Sequence, residues 1–453
     1  MSSRNAVTDA YLAAVAAGRM PAEELAKAVR ATGLNDAIYR NGHLARPLFL
    51  ARAERERLDA DLRTLHGLLT GLPARLFGGD AGAFAAAAGA QGPQVDAARA
   101  AGGQVTRLSR ADLYPDAEGF KLLELNVSGA VGGLENSFLN AAYLDSPHFA
   151  EFAAEHGLGY ADTMAALCET LRDETGAAGG SPVVAIVDWP ESYPELEPML
   201  RKTAARLGEF GIDALVGHAG QVECRDGGVY LAGRRVEVVY RLFLMEDLLR
   251  PEGPALLDPL LAAAARGEVA MFTPIASELY GSKAALALLS DERHRDRFDA
   301  AEVEVVDRVL PWTRMLRPGA VTVDGERADL LAYARRDRER LVLKATMLHG
   351  GTGFVAGWRT GPDEWDRELR RAEGGPYVLQ RRVVPEPELI PEPDGTLRPW
   401  VAVWGAFLTG RGYAGTYVRA VPGSDAGAVV ASGSLTGCVF HEHAAAIAAT
   451  GSR

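Results

Sequence analysis

The sequence predicts a mixed α/β (α+β) protein, and three observations support this fold class. Residues 1–100 carry apolar side chains at helical spacing, and residues 180–250 alternate short apolar strands with an amphipathic helix. Residues 340–420 contain strand-like runs separated by loops rich in glycine or proline. Alternating strands and helices indicate a parallel sheet covered by helices, whereas neighbouring strand-like runs joined by turns indicate antiparallel sheets. We therefore expect both kinds of sheet and a helical N-terminal region.

The composition excludes several classes of protein. The chain has 453 residues, with 48 Lys and Arg against 60 Asp and Glu, so its net charge is −12. Such an acidic chain is unsuited to non-specific nucleic-acid binding, which needs clustered cations. The scattered Cys168, Cys224 and Cys438 exclude a disulfide scaffold or a cysteine-rich zinc site. No run approaches the ~20 apolar residues that cross a bilayer, and the first residues lack the apolar core of a secretory signal. We expect a cytoplasmic protein with no membrane partner.

The first elements follow from apolar spacing. In RAERERLDADLRTLHGLLTGL, one helical stripe contains Leu58, Leu62, Leu65 and Leu69. Two strands are predicted next, QVTRLS and FKLLELNV, with a turn between them over residues 115–119. The chain then returns to a helical pattern before residue 180.

The remaining elements are predicted in the same way. VVAIVDW and IDALVG are predicted strands that flank the helix LEPMLRKTAARLGEFG, and no G-x-G-x-x-G follows the first of them. Two helices are expected after Pro254, LLDPLLAAAARG and GSKAALALLSDERHRDRF. VEVVDRVLPWT is predicted as a strand, and LVLKATMLHGGTGFVAGW as a strand, a glycine loop and a second strand. YVLQRRVV, WVAVWGAFLT and AGTYVRAV are predicted as further strands.

The first two strands carry a candidate metal site. If they pair antiparallel, Asp112 comes level with Glu124 and Asn126, and the last two share one face because they are two residues apart. Three oxygen ligands on one face suit Mg²⁺. In the alternative, Asp112 lies in an exposed turn and Glu124 pairs with Arg110 or Lys121. The residue pattern favours the metal site over this alternative.

Two lysines and a glycine loop are candidates for binding phosphate. Lys344 ends the strand before the loop, and Lys283 opens a helix after Gly-Ser. Glycines let backbone N–H groups approach a phosphate closely. The loop is not a Walker A motif. Each feature also has a structural alternative, an ordinary hairpin loop for the one and a solvated lysine for the other. The loop consists of His349, Gly350, Gly351, Thr352 and Gly353.

Two more segments are candidates for binding substrates. The strand YVLQRRVV can offer backbone groups to an adenine edge, with Glu386 or Glu388 near the ribose; taken alone, it is a buried strand. Arg241 ends VEVVYRLF and can clamp a substrate carboxylate through two hydrogen bonds. An equally good interpretation of Arg241 is a surface arginine paired with Glu246 or Asp247.

Taken together, these features resemble the ATP-grasp ligases, specifically their circularly permuted, glutathionylspermidine-synthase-like branch. Arg110-Ala-Asp112 and Glu124-Leu-Asn126 match the Arg-x-Asp and Glu-x-Asn motifs of that branch. Both motifs precede the two lysines here, whereas ordinary ATP-grasp enzymes have the lysines first. The resemblance covers roughly residues 105–384, with residues 410–419 as closing strands.

The resemblance implies a circularly permuted ATP-grasp fold with a pre-ATP-grasp α/β substrate domain. The implied parts are a mostly helical N-terminal region (1–103), a metal-binding part of the core (104–178), the substrate domain (179–255), and an ATP-binding lobe with closing strands (256–453). Within the last part lie the phosphate lysines, the glycine flap and the adenine hinge. Gln380 stands in the hinge where many relatives have Glu.

The resemblance also implies roles for individual residues. The resemblance implies that Arg110 is a catalytic residue, and the position of Arg241 at the end of VEVVYRLF makes it the second expected catalytic residue. The expected metal ligands, for one or two Mg²⁺ ions, are Asp112, Glu124 and Asn126. The expected ATP-binding residues are Lys283, Lys344, His349, Gly350, Gly351, Thr352, Gly353, Gln380, Arg381 and Val383. Arg419 is a further candidate for binding substrate or phosphate.

The implied activity is that of an ADP-forming ligase that makes a carbon–nitrogen bond. ATP would activate a small-molecule carboxylate as an acylphosphate, and an amine, of an amino acid in our expectation, would displace the phosphate in small-molecule or peptide-like biosynthesis. A kinase that stops at phosphoryl transfer and a catalytically silent nucleotide-binding protein are the alternatives. We expect a monomer or a homodimer.

Overall fold

The computed structural model describes residues 5–33, 41–177, 180–348, 350–392, 395–423 and 433–443. The described α-helices are Ala6–Ala16 (α1), Ala22–Ala31 (α2), Arg52–Phe77 (α3), Ala81–Ala87 (α4), Pro93–Ala100 (α5), Asn136–Leu144 (α6), Pro147–Glu155 (α7), Thr163–Thr175 (α8), Tyr193–Glu209 (α9), Gly253–Ala265 (α10), Glu278–Gly281 (α11), Lys283–Ser290 (α12), Ala300–Val309 (α13), Leu330–Arg336 (α14) and Pro362–Ala372 (α15). None of these helices combines the length and apolarity that a membrane crossing needs.

The described strands belong to an eight-stranded sheet, two four-stranded sheets and two smaller ones. The strands are Leu48–Leu50 (β1), Ser109–Asp116 (β2), Gly119–Asn126 (β3), Leu158–Gly159 (β4), Val183–Asp188 (β5), Asp213–His218 (β6), Val222–Arg225 (β7), Gly228–Leu231 (β8), Arg234–Val236 (β9), Val238–Arg241 (β10), Ala270–Phe272 (β11), Thr313–Met315 (β12), Ala320–Val323 (β13), Glu326–Asp329 (β14), Leu341–Ala345 (β15), Val355–Ala356 (β16), Tyr377–Arg381 (β17), Glu388–Pro391 (β18), Leu397–Thr409 (β19), Gly412–Pro422 (β20) and Leu435–Glu442 (β21).

The eight-stranded sheet combines strands from the first quarter of the described chain with strands near its C-terminal end. Its strand order is β1-β21-β20-β19-β2-β3, with β18 pairing with β19 and β4 pairing with β21. β1 runs parallel to β21, while β2, β3, β19 and β20 are mutually antiparallel neighbours. The predicted leucine stripe of α3 is buried in the same hydrophobic cluster as Trp404 and Val418 of this sheet. The long N-terminal helix therefore shares the core of the sheet that carries the candidate metal residues.

The predicted parallel sheet is present, in the order β11-β10-β5-β6. β10 lies between β5 and β11, so it is an interior strand. Its apolar residues Val238 and Tyr240 are buried with Ile186 of β5 and Leu207 of α9. The last residue of β10, Arg241, is fully buried.

The second four-stranded sheet carries the glycine loop and has a hydrophobic core of its own. Its order is β12-β17-β15-β16, and the loop joins β15 to β16. Leu343 and Leu379 of this sheet pack with Tyr333 of α14 and Trp365 of α15. This lobe therefore holds β15, β17 and the loop as one packed unit.

Two sequence predictions of secondary structure are wrong. VEVVDRV is not a strand but forms α13, which begins after the cap Asp299. The Asp299 carboxylate accepts a hydrogen bond from the Glu302 N–H at 2.8 Å, and Glu302 accepts one from the Asp299 N–H at 3.0 Å. This reciprocal capping box outweighs the weak helix propensity of the valines. The strand predicted over QVTRLS begins only at its last residue, Ser109.

Candidate functional site

The hairpin β2–β3 brings the predicted acidic and amide groups together. In its register Arg110 is opposite Asn126, and Asp112 is opposite Glu124. Glu124 and Asn126 lie two residues apart on β3 and so share one face. This pairing confirms the predicted geometry of the hairpin, and it contradicts the alternative of an exposed turn, since Asp112 is only 2% exposed.

A bulge in the same hairpin binds the side chain of Lys344. The register shifts after Asp112, so that Leu123 is the extra residue of β3. The Lys344 Nζ donates to the Leu123 carbonyl at 3.0 Å and to Oε1 of Gln380 at 2.7 Å. Lys344 lies on β15 and Gln380 on the adjacent β17, so the glycine-loop lobe contacts the acidic hairpin through this lysine.

Burial changes the proton affinity of Lys344. Desolvation disfavours its charged form and, with the positive charge of Lys283 nearby, lowers the pKa of Lys344 to about 8. The carboxylates of Glu124 and Asp112 act in the opposite direction and do not cancel the effect of burial. An anion next to this ammonium would restore its charge, because an opposite charge favours the protonated form.

The second lysine approaches the hairpin from α12. Ser282 caps this helix through its side chain, which accepts a hydrogen bond from the Ala284 N–H. Lys283, the first helical residue, lies 3.3 Å from Oε2 of Glu124 and donates to the Leu348 carbonyl at 3.1 Å. A lysine at the positive end of a helix dipole is unfavourable unless an anion lies there. Here the Glu124 carboxylate is such an anion, so Lys283 holds an acidic group of the hairpin at this helix end.

Close backbone packing fixes Lys283 against the hairpin. A Cβ on Gly281 would lie 2.4 Å from the Leu125 carbonyl oxygen, so only glycine allows α11 to approach β3 this closely. Since Gly281 is two residues before Lys283, this contact fixes the position of the Lys283 backbone relative to β3. The Gly-Ser-Lys sequence thus positions a cation rather than forming a Walker motif.

Two arginines share the Asp112 carboxylate. Arg110 donates to both of its oxygens, at 2.7 and 3.0 Å, and Arg419 donates to Oδ2 at 2.6 Å. Burial disfavours the charge on Arg110, but the neighbouring Asp112 outweighs burial and raises the pKa of Arg110 above its ordinary value. Gly405 of β19 leaves room for the Arg110 side chain, which a Cβ there would approach to 2.9 Å.

These groups line one cavity of about 390 Å³. The predicted site residues in its wall are Arg110, Asp112, Glu124, Asn126, Lys283, Lys344, Gly350, Gly351, Thr352, Gln380, Arg381 and Val383. Gly353 is not in the wall, and its carbonyl accepts the Ala345 N–H at 3.2 Å. His349 lies outside the described residues. The structure therefore brings together residues that are far apart in the sequence, from the β2–β3 hairpin, from α12 and from the lobe that carries the glycine loop.

Arg241 differs from both sequence interpretations. It is absent from the cavity wall and fully buried, so it is neither an accessible substrate clamp nor a surface arginine. Its Nε donates to the Thr273 carbonyl at 2.6 Å, and its Nη1 donates to Oε1 of Glu278 at 2.6 Å. The expectation of direct substrate contact does not fit this position, because carbonyl and carboxylate groups of the protein surround the guanidinium and none of the side chain is exposed.

The sequence reasoning missed two features of the cavity wall. Glu278 lies in the wall and accepts the Met245 N–H at 3.0 Å, in addition to pairing with Arg241. Its signal was an acidic residue just before Gly-Ser-Lys. Trp358 and Arg382 also line the cavity, with the guanidinium 4.0 Å from the ring centroid. No motif in the sequence indicated that pair.

The predicted metal ligands suit Mg²⁺ by donor chemistry. Asp112, Glu124 and Asn126 all offer side-chain oxygens, which Mg²⁺ prefers. The Nδ2 of Asn126 is buried without a hydrogen-bond partner among the described residues, so no bond of that kind fixes the orientation of the amide. The described part of the chain holds no group of three His, Cys, Asp or Glu residues placed to bind a metal. The site would therefore rest on two carboxylates and one amide, with Asp112 already bound by arginines.

Comparison with known proteins identifies the fold. No family model matches the chain, and no curated protein sequence matches it. A solved glutathione synthetase-like effector from Globodera pallida, in its apo form, has a TM-score of 0.53 and 13% identity over 88% of this chain and 89% of that one. A protein of Methylobacillus flagellatus described as a "putative gamma-glutamylcysteine synthetase" has a TM-score of 0.41 and 12% identity, covering 86% and 87%. The mixed α/β, ATP-grasp-like fold class predicted from the sequence is confirmed.

Proposed function

We propose that the protein is an ATP-dependent carboxylate–amine ligase that releases ADP and phosphate. The observation that carries this proposal is the convergence of two lysines from separate elements, an acidic hairpin and a glycine loop on one cavity. Phosphoryl transfer needs positioned cations and exclusion of water more than covalent chemistry from the protein. The cavity supplies groups of these kinds.

The two lysines would hold the polyphosphate of ATP. Lys344 and Lys283 approach the hairpin from β15 and α12, so phosphates bound between them would be gripped from two sides. Glu124 and Asn126, with Asp112, would hold Mg²⁺, which neutralises phosphate oxygens when it is bound. The segment of β17 that contains Gln380 and Arg381 would receive the adenine.

The reaction would proceed in two steps. A carboxylate oxygen of the acid attacks the γ-phosphorus, and the bond to the bridging oxygen of ADP breaks, which gives an acylphosphate. The amine nitrogen then attacks the acyl carbon, phosphate leaves with its bonding electron pair, and the nitrogen loses one proton. Arg110 is fixed by Asp112 and would stabilise the negative charge that develops in both steps.

The glycine loop would cover the reacting groups. Gly350 and Gly351 have φ values of 64° and 81°, which disfavour other residue types, and both are exposed in the described structure. A loop of this kind can move over bound phosphates and exclude water, which would otherwise hydrolyse the acylphosphate. Closure would complete the anion site from its open side.

The first experiment tests nucleotide binding by thermal unfolding with and without Mg²⁺-ATP. Ligand that binds the folded state raises the unfolding temperature. We expect a Mg²⁺-dependent rise that Lys344→Ala abolishes and that Lys202→Ala, which removes an exposed lysine of α9, retains. The absence of any rise at millimolar ATP would contradict the proposal.

The second experiment distinguishes a ligase from a kinase. Purified protein is screened with amino acids as acids and amines, and ADP release is measured with each partner alone and with both. A ligase requires the amine for continued turnover, whereas a kinase does not. Glu124→Ala should retain the fold, as judged by circular dichroism, and lose ADP release. Turnover by Glu124→Ala at the rate of the unaltered protein would contradict the metal assignment.

A further inference from the structure

The Asp112 carboxylate accepts hydrogen bonds from two arginines in this structure. Arg110 and Arg419 both bind it, and the three groups together carry one net positive charge in the cavity wall. Asp112 is 2% exposed, so its charge is screened by these partners rather than by water. A metal ion that used this carboxylate would have to take it from one of the two arginines.

The two arginines are held to very different degrees. Arg110 donates through Nε and Nη2 to Asp112, and through Nη1 to the Gly132 carbonyl at 2.7 Å. Arg419 has one hydrogen bond to Asp112, and its buried Nε has no hydrogen-bond partner among the described residues. Arg419 is therefore the partner that costs less to remove from the carboxylate.

The sheet gives Arg419 room to exchange partners. Arg419 lies on β20 and Asp112 on β2, with β19 between them. Asp112 is level with Gly405 of β19, and Arg419 is level with Val403, so the arginine reaches its partner diagonally across a strand. A long side chain at such a distance can release the carboxylate and remain in the cavity wall.

We propose that Arg419 is a metal-gated anion-binding residue. Without metal, its guanidinium is hydrogen-bonded to the Asp112 carboxylate. Metal binding at Asp112, Glu124 and Asn126 would displace the guanidinium from the carboxylate, because a divalent cation repels a neighbouring guanidinium. The displaced guanidinium is then available to the anionic end of the acid substrate. This inference rests on the proposed function and adds an order of binding to it, with metal and nucleotide before the acid.

The test measures competition between Arg419 and Mg²⁺. Isothermal titration calorimetry with the non-hydrolysable analogue AMPPNP, repeated over a series of free Mg²⁺ concentrations, gives the Mg²⁺ concentration for half-maximal affinity. Arg419→Gln should lower this concentration about 5- to 150-fold, the usual range for coupled sites. Arg382→Gln removes another cavity arginine, which is stacked on Trp358, and so measures the general loss of positive charge.

A double-mutant cycle ties the effect to the carboxylate. In an Asp112→Asn background, Arg419→Gln should change the half-maximal Mg²⁺ concentration no more than Arg382→Gln does. Arg419→Lys retains a cation, so its half-maximal Mg²⁺ concentration should lie between those of Arg419→Gln and the unaltered protein. Since this variant keeps the charge of the site, it provides the readout if Arg419→Gln does not fold.

The possible failures are distinguishable. If the unaltered protein binds no AMPPNP at any Mg²⁺ concentration, the proposed function fails and the inference fails with it. AMPPNP binding that depends on Mg²⁺, with equal changes of the half-maximal Mg²⁺ concentration in Arg419→Gln and Arg382→Gln, would overturn only the displacement of Arg419 from Asp112 by the metal. An effect of Arg419→Gln that persists in the Asp112→Asn background would also overturn the exchange.

Discussion

Arg110 and Arg241 each pair with a carboxylate inside the protein, yet their surroundings differ in one decisive respect. Arg241, at the end of the interior strand β10, and Glu278 of α11 form a closed pair of equal and opposite charge. Arg110 shares its carboxylate with a second arginine at the wall of a cavity, so that region holds an excess positive charge. A buried pair with no net charge attracts no further ion, whereas two arginines on one carboxylate beside a cavity are suited to an additional anion.

Arg241 has a structural role and Arg110 a role at the cavity, although the two regions are connected. Glu278 belongs to both regions, because it pairs with Arg241 and also lies in the cavity wall. Arg241 therefore positions part of the wall without reaching the cavity. We expect changes at Arg241 to act mainly on stability and changes at Arg110 to act mainly on the reaction.

The largest predicted effect is the loss of stability in Arg241→Met. This change leaves the Glu278 carboxylate buried without its cation, which typically costs about 3–5 kcal/mol. Urea unfolding at neutral pH measures the free energy of unfolding. The double variant Arg241→Met/Glu278→Gln removes the stranded charge and should recover part of the loss. A cost below about 1 kcal/mol for Arg241→Met would contradict the closed-pair interpretation.

A smaller stability effect is predicted for Arg110→Met. Asp112 would keep Arg419 as its partner, so we expect a loss of about 2 kcal/mol, typical of hydrogen bonds to charged groups. ADP release should fall by about 100-fold or more, because a fixed cation near the developing charge is lost. Comparing the two variants by unfolding and by ADP release tests whether stability and activity separate as expected. A lower free energy of unfolding for Arg110→Met than for Arg241→Met would contradict these separate roles.

The next prediction concerns the packing that positions Lys283. Gly281→Ala should destabilise the protein by about 1–3 kcal/mol, because its Cβ would collide with the Leu125 carbonyl oxygen. Gly67→Ala is the matched control: Gly67 lies inside α3 with nothing within 4 Å of the point that an alanine Cβ would occupy, so alanine should stabilise by about 0.5–1 kcal/mol. Urea unfolding compares the two. Equal effects of the same sign would contradict the close contact between α11 and β3.

Much of the hairpin was predictable because its information is local. The two-residue spacing of Glu124 and Asn126, and the turn before them, determine which side chains share a face. The leucine stripe of α3 was predictable for the same reason, since its period is that of a helix. These features depend on neighbours within a few residues, and the structure reproduces them.

The partners of the arginines were not predictable from the sequence because they come from distant segments. Glu278 is 37 residues from Arg241, and Arg419 is 307 residues from Asp112. The strand order β20-β19-β2 brings Arg419 to Asp112, and the position of α11 against the end of β10 brings Glu278 to Arg241. The error at α13 has a local cause instead, since the valine-rich pattern suggested a strand while the capping residues Asp299 and Glu302 favoured a helix.

The smallest predicted effect is the pH dependence that Lys344 confers on nucleotide binding. Its pKa of about 8 in the folded protein means that its ammonium is lost as pH rises through 8, so ATP affinity should fall by up to about tenfold per pH unit above that value. The free energy of unfolding should change in the opposite direction. Between pH 8 and the ordinary lysine pKa of 10.5, the unfolded chain holds more protons, so Lys344 contributes increasing stability with pH.

Lys344→Met provides the reference for both slopes, because methionine has no proton to lose. Urea unfolding from pH 7 to 10 should show a slope in the unaltered protein that the variant lacks. In calorimetric titration with Mg²⁺-AMPPNP over the same range, the affinity of the unaltered protein should fall above pH 8 towards the weak affinity that Lys344→Met has at every pH. The difference between the two proteins removes the contribution of other groups that titrate in this range. Identical slopes would contradict the buried environment of Lys344. If the two proteins differ in the unfolding slope but not in the binding slope, the lysine is buried as described but does not contact the phosphates, which would leave Lys283 and the arginines of the cavity wall to bind them.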